Sequence, residues 1–172
     1  MKQFIKCPKC GAVQLGTIEK TFPFPTYIHD CEKCGYTIIE SEWDTVPALS
    51  IRQPWASLIC NGIKDIENRS WKLPEKHKGK RILIHAGLKD YDLTNNVLSE
   101  YQRGYINDLK RPLKYGAIIG SVEIVDCIKS TDNPNTAWGG LYCYHWILKN
   151  PIPLDTPIKC TGKLSFFIPE IL

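Results

Sequence analysis

Two CxxCG units lie near the start of the chain, Cys7-Pro8-Lys9-Cys10-Gly11 and Cys31-Glu32-Lys33-Cys34-Gly35, with twenty residues between Cys10 and Cys31. No other feature constrains the fold as strongly. Two residues between paired thiolates let a tight turn aim both sulfurs at one ion, and the glycine that follows tolerates the positive φ such a turn needs. Cys7, Cys10, Cys31 and Cys34 therefore read as the ligands of one structural Zn2+. Redox pairs or an iron centre would use the same residues. Four thiolates close a tetrahedral shell and leave no open position for a reacting water. A segment of about 45 residues holds a core poorly without a staple, and a metal supplies one. Short β runs at Val13–Ile18, Tyr27–His29 and Tyr36–Ile39 complete a zinc-ribbon pattern. His29 precedes Cys31 by two positions and reads as a surface neighbour of the ligands.

The boundary of this unit falls near Ser41–Pro47, which gives a ribbon over 1–45 and a second domain over 46–172. Cys60, Cys127, Cys143 and Cys160 lack metal spacing and read as small buried apolar residues. The ribbon carries five lysines against six acids, while 46–172 carries seventeen basic against twelve acidic residues. A mild positive excess suits a polyanionic partner without demonstrating one. No apolar run reaches the roughly 18 residues of a membrane span, and the first CxxC arrives before any apolar leader. A cytoplasmic protein without a membrane partner is expected.

After the boundary the pattern is mixed α/β. Ala48–Ile51 reads as a strand, and Gln53-Pro54 opens a helix whose buried stripe is Trp55, Leu58 and Ile59, closed by Gly62. Asp65–Trp71 and Arg81–Ala86 read as strands around a basic turn at Leu73–Lys80. Leu93, Val97, Leu98 and Tyr101 predict a second helix. Tyr115–Ile128 reads as a long strand with Ile118, Val122 and Ile124 on one face, opposite Ile119, Ser121 and Glu123. A turn through Asn133-Pro134-Asn135 and strands at Leu141–Leu148 and Lys163–Ile168 end the chain. Many strands with two inserted helices suggest a small mixed barrel.

The block Ala48-Leu49-Ser50-Ile51-Arg52-Gln53-Pro54-Trp55-Ala56-Ser57-Leu58-Ile59, followed by Gly62, Lys64, Glu67 and Arg69 in a GxKxxExR pattern, resembles the ASCH (activating signal cointegrator homology) family. The preceding LSxxQPWAS resembles its coactivator-type branch. Gly116–Asp126, Trp146–Pro151 and Lys159–Leu164 fit the family's later strands, so the resemblance covers about 46–172. It implies a PUA-like β-barrel with a cleft, and a nucleic-acid-binding module reading RNA or DNA, including modified bases. Some small members are hydrolases of modified nucleosides or RNA. Those pair their lysine with a threonine where this chain has Glu67.

Strand alternation places Asp65, Glu67 and Arg69 on one face, with Lys64 where the helix end meets the strand. A cation, a carboxylate and a guanidinium at one cleft edge can hold a base edge or a phosphate. A plain Glu67–Arg69 ion pair would use the same residues. For a hydrolase, Lys64 would serve as base or nucleophile, Glu67 as proton shuttle and His85 as a further proton-transfer candidate. Nucleic-acid candidates are Ser50, Arg52 and Gln53 before the helix; Lys64, Glu67 and Arg69 at the cleft edge; Trp71 and Trp138 as stacking rings; and Lys78 and Lys80 on the basic turn. The ribbon would add a contact surface or recruit a protein, and a non-catalytic adaptor is a further alternative.

Overall fold

The computed structural model describes residues 1–94, 98–130 and 136–171, except the side chain of Lys20. Val97 and the turn at Asn133-Pro134-Asn135 fall outside the described residues. The ribbon contains β1 (Lys2–Lys6), β2 (Val13–Thr17), β3 (Glu19–Lys20), β4 (Pro25–Thr26), β5 (His29–Asp30), β6 (Thr37–Ile38) and β7 (Asp44–Thr45). β1 lies antiparallel between β2 and β7, while β3–β4 and β5–β6 are separate two-stranded pairs. Ile5, Cys7, Cys31 and Ile38 form a buried cluster small enough to need the cysteines as part of its core.

The rest of the chain supplies β8 (Ala48–Gln53), α1 (Trp55–Cys60), β9 (Ile66–Arg69), β10 (Lys80–Asp90), α2 (Glu100–Asn107), β11 (Ala117–Lys129), β12 (Tyr144–Lys159) and β13 (Phe166–Phe167). These strands form one six-stranded sheet in the order β13-β8-β10-β11-β12-β9. Only the β8–β10 pairing is parallel; the others run antiparallel. The sheet curls so that its two edges meet through side chains. Phe166 of β13 stacks parallel to Trp146 of β12 at 5.5 Å, and Arg69 of β9 donates to the Ser50 carbonyl of β8 at 3.0 Å. α1 closes one end of the barrel, with Ala56, Ile59 and Cys60 in the interior beside Ile82, Ile84, Val122 and Trp146.

Ribbon and barrel share a buried cluster: Phe4 of β1 packs with Val46, Leu83, Ile118, Phe167 and Ile171. Lys2 and Ile171 also exchange backbone hydrogen bonds.

Several elements differ from the sequence reading. The second helix starts at Glu100, past Leu93 and Leu98. Ser99 caps it, accepting from the Gln102 amide, while the Gln102 side chain accepts from the Ser99 amide. A reciprocal cap of this kind outweighs an apolar spacing that extends further upstream. Leu93 and Leu98 still pack on the cluster of Leu58, Ile106 and Trp138. In β11 the expected face is broken at Gly120. Pairing with β12 shifts between Ile118 and Gly120, so Ile119 joins Val122 and Ile124 inside the barrel while Ile118 faces the ribbon. Only glycine fits there: a Cβ at 120 would lie 2.7 Å from Cys60 Sγ and 2.8 Å from the Ile152 carbonyl. β9 is shorter than expected, and β12 starts at Tyr144 and continues through Asn150, Pro151 and Pro153 with further register shifts.

Candidate functional site

The cysteine cluster is built from two equivalent turns. The Gly11 amide donates to the Cys7 carbonyl and the Cys7 amide to the Ala12 carbonyl; Gly35, Cys31 and Tyr36 repeat this pattern. Gly11 and Gly35 have φ of 71° and 68°, the left-handed conformation that a Cβ disfavours. The four sulfurs lie within 4.8 Å of one another. Cys7 and Cys34 Sγ are 3.8 Å apart, and Cys10 and Cys31 Sγ 3.6 Å. A tetrahedron with metal–sulfur bonds of about 2.3 Å has edges of about 3.8 Å, whereas a disulfide is about 2.05 Å. The four cysteines thus fit a single metal ion, and none of them is disulfide-bonded. Gln14 Nε2 donates to Cys31 Sγ at 3.1 Å, and its Oε1 accepts from the Glu32 amide and sits 3.1 Å from His29 Nε2. His29 therefore supports the sulfur through Gln14. That amide hydrogen bond is the main cause holding the Cys31 thiol down at about 6. At Cys34 the Tyr36 backbone pulls the same way, but burial and the three other thiols push it up to about 12. Four thiols this close cannot all ionise without a cation between them.

The second site is a cleft of about 740 Å3 between β8, β9, the start of α1 and the segment 138–143. Its size falls within the roughly 300–1,000 Å3 of small-ligand sites. Lys64 and Glu67 sit at its floor, 4% and 7% exposed. Glu67 Oε1 is 2.9 Å from Arg69 Nε, and Oε2 is 3.6 Å from Lys64 Nζ. Lys64 also donates to the Ile66 carbonyl. The carboxylate is held between two cations, and Arg69 is held again by Ser50. Burial pushes the Lys64 ammonium below its ordinary value, against the pull of Glu67. Arg52 adds an exposed cation at the rim, so three cations and one carboxylate line the cleft.

The opposite wall is the segment 138–140. Asn68 donates to the Trp138 carbonyl at 2.9 Å and accepts from the Gly140 amide at 3.0 Å. His145 Nε2 lies 2.6 Å from the Gly140 carbonyl, and Gln102 donates to the Ala137 carbonyl at 2.7 Å. Asp65 accepts from Thr136, outside the cleft. Trp55 packs edge-on against Tyr91 at 5.4 Å and Trp138 at 6.0 Å, giving an aromatic side. Leu141 and Leu164 stand exposed at the mouth. Cys143 lines the cleft, but burial raises its thiol, which makes it a poor nucleophile.

Of the sequence candidates, Ser50, Arg52, Lys64, Glu67, Arg69 and Trp138 come together in this lining. Trp138 does so as a wall residue only 5% exposed, packed on Leu58 and Ile106. Five others lie outside it. Gln53 is buried, accepting from the Ser57 amide and donating to the Lys114 carbonyl. Trp71 packs edge-on against Trp146 and Phe166 at the barrel seam. Lys78 pairs with Asp126 at 2.6 Å, and Lys80 is exposed on the same turn. His85 is 2% exposed, between Ser50 Oγ at 3.1 Å and the Cys160 carbonyl at 3.2 Å; burial holds it below the usual imidazole value. Sequence reading missed Asn68, placed on the far face of its strand, and Tyr91. The Gly139-Gly140 pair was the visible sign that a tight wall forms there.

A curled mixed sheet with a floor of buried charge, preceded by a four-cysteine knuckle unit, defines a zinc-ribbon-plus-barrel protein. The family model described as the ASCH domain matches residues 49–157, and the chain belongs to that family. Two curated relatives, both named activating signal cointegrator 1, align over 128 residues: the Homo sapiens protein at 40% identity and the Mus musculus protein at 31%. Each alignment covers 67% of this chain and 21% of the relative, so the chain spans about a fifth of the length of the curated relatives it matches.

Proposed function

We propose that the chain binds nucleic acid, RNA or DNA, and that the cleft around Lys64, Glu67 and Arg69 receives it. One observation carries this reading: a floor of buried Lys64 and Glu67 with half-buried Arg69 faces an aromatic wall across an open cleft whose rim adds Arg52. A positive floor attracts phosphates and base edges, and aromatic rings give a base somewhere to stack. Membership of the ASCH family supports the same reading. In this account residues 1–45 are a ribbon holding one Zn2+ on Cys7, Cys10, Cys31 and Cys34. Its near-neutral charge suits docking on a protein or bracing the barrel. Eight free cysteines fit a reducing compartment such as the cytoplasm. No helix of the described residues is long and apolar enough to cross a membrane.

Fluorescence anisotropy with single- and double-stranded RNA and DNA, at two salt concentrations, tests the reading. Binding should weaken with salt, and Arg52→Ala and Arg69→Ala should each reduce it and flatten the salt dependence. Binding untouched by both variants would move the site elsewhere. No binding to any strand would favour an adaptor, and turnover of the RNA would favour a hydrolase built on Lys64.

A further inference from the structure

The cleft's hydrogen-bonding inventory is one-sided. Three lining side chains carry carboxylate or amide oxygens, Glu67, Asn68 and Gln102. All are engaged within the protein. Glu67 faces Arg69 and Lys64, Asn68 Oδ1 accepts from the Gly140 amide, and Gln102 Oε1 accepts from the Ser99 amide. Three backbone oxygens at the cleft are taken as well: Ser50 by Arg69, Trp138 by Asn68 and Gly140 by His145. Donors are left over. Arg69 Nε faces Glu67 Oε1 as an ion pair at 2.9 Å without a hydrogen bond and one Nη2 hydrogen goes to the Ser50 carbonyl, so the other Nη2 hydrogen and both on Nη1 have no partner among the described residues. The Arg52 guanidinium at the rim has none either, among the described residues. The Tyr91 hydroxyl can turn either way.

We propose that this cleft selects an unpaired guanine from a nucleic-acid strand and takes its O6/N7 edge against Arg69. The proposal rests on the nucleic-acid reading above and sharpens it. A floor that offers donors leaves any amino group unpaired, and an unpaired buried donor is costly. On the major-groove edge guanine shows two acceptors and no donor, adenine has an amino group where guanine has O6, and cytosine, which has no N7, shows only an amino group. A guanidinium fork matches the O6/N7 pair. The ring plane has Trp55, Tyr91 and Trp138 as its wall, and the exposed Leu141 and Leu164 flank the entrance.

The test uses the intact, metal-loaded chain and labelled uridine octamers that differ at one central position. That position carries guanosine, inosine, 7-deazaguanosine, adenosine, cytidine or an abasic sugar. Guanosine and inosine share O6 and N7 and should bind alike. Both should bind at least about five-fold more tightly than adenosine, cytidine or the abasic strand, the lower end of a bidentate discrimination. 7-Deazaguanosine, which lacks the N7 acceptor, should drop towards the abasic strand. Arg69→Lys keeps the charge but not the fork, and should erase the difference between guanosine and adenosine. If the abasic strand binds as tightly as guanosine, the floor takes a backbone phosphate; the guanine proposal then falls while the cleft reading stands. Equal binding of all bases, or a preference for adenosine or cytidine, overturns it in the same way. If no octamer binds, the guanine proposal falls, and the anisotropy series with duplexes and DNA decides whether the cleft reading falls with it.

Discussion

At the cysteine cluster every functional atom faces its three counterparts, whereas at the cleft Arg69 is held on one side and open on the other. Cys7, Cys10, Cys31 and Cys34 come from two turns that each lie within a few residues of sequence, and their geometry closes around a point. Lys64, Glu67 and Arg69 are also close in sequence, but the wall they face is brought in from residues 138–143 by Asn68, Gln102 and His145. Both sites concentrate charge that would be unfavourable alone. One cation would compensate the first fully and leave no capacity for a further ligand. The second compensates its carboxylate twice over, which leaves an uncancelled positive charge facing open space. A closed site of this kind suits stabilising a fold; an open one leaves donors free for a ligand.

The contrast breaks most visibly on removing the metal. Structural zinc in small domains contributes on the order of 10–16 kcal/mol, so a strong chelator or Cys31→Ser should unfold the ribbon. The barrel should soften too, because Phe4 of the ribbon is part of its second cluster. Metal analysis and NMR dispersion of β1–β7 report this; a ribbon that stays folded without metal would remove the basis for calling the site closed. At the cleft the effect should be smaller. Glu67→Gln leaves Lys64 buried without its countercharge and should cost about 3–5 kcal/mol in urea unfolding. The Lys64→Met, Glu67→Gln double variant should recover part of that loss, since the fully buried Lys64 charge is gone and the partly exposed Arg69 alone loses its carboxylate.

Lys64 also sharpens the comparison through pH. Its folded-state value is depressed by burial below the ordinary 10.5, so the folded protein holds that proton less tightly than the unfolded chain. In the window between the depressed value and 10.5 the unfolded state binds more protons, and this residue makes stability rise with pH. The slope from one such group is at most about 1.4 kcal/mol per pH unit. Denaturant midpoints measured across that window should therefore rise more steeply for the wild type than for Lys64→Met. Identical slopes would show that Lys64 is better solvated than its surroundings imply.

How far the sequence anticipates these features depends on how local each one is. The two CxxCG turns are complete within their own residues, and the structure brings all four sulfurs together. The block from Ala48 to Arg69 was legible as a strand, a helix and a second strand, because it spans one stretch with strong periodicity. The site around it was legible only in part. Lys64, Glu67 and Arg69 share one strand and its entry, but whether Lys78, Lys80, His85, Gln53 or Trp71 reaches the same cleft is decided by how the sheet curls. No spacing rule encodes that curl. The shift at Gly120 illustrates the limit: one irregular residue moves Ile119 to the inside and Ile118 to the outside. A glycine inside a long strand marks a place where pairing can shift, but not which residues the shift moves between the two faces.

The smallest expected effect concerns the wall rather than the floor. Ser99 caps α2 reciprocally with Gln102, and the same Gln102 side chain donates to the Ala137 carbonyl at 2.7 Å. Ser99→Ala removes the cap and should cost about 1 kcal/mol of stability. The residue-99 backbone N–H still donates to Gln102 Oε1 in the variant, so residues 137–138 loosen only as far as the first turn of α2 frays. If the wall matters to an open site as the ligating turns matter to a closed one, affinity for a single strand should fall a few-fold in Ser99→Ala even at temperatures where the variant is fully folded. If stability drops while affinity is unchanged, Asn68 and His145 hold the wall by themselves. The cleft would then depend on β9 and β12 alone, and α2 would be scaffold.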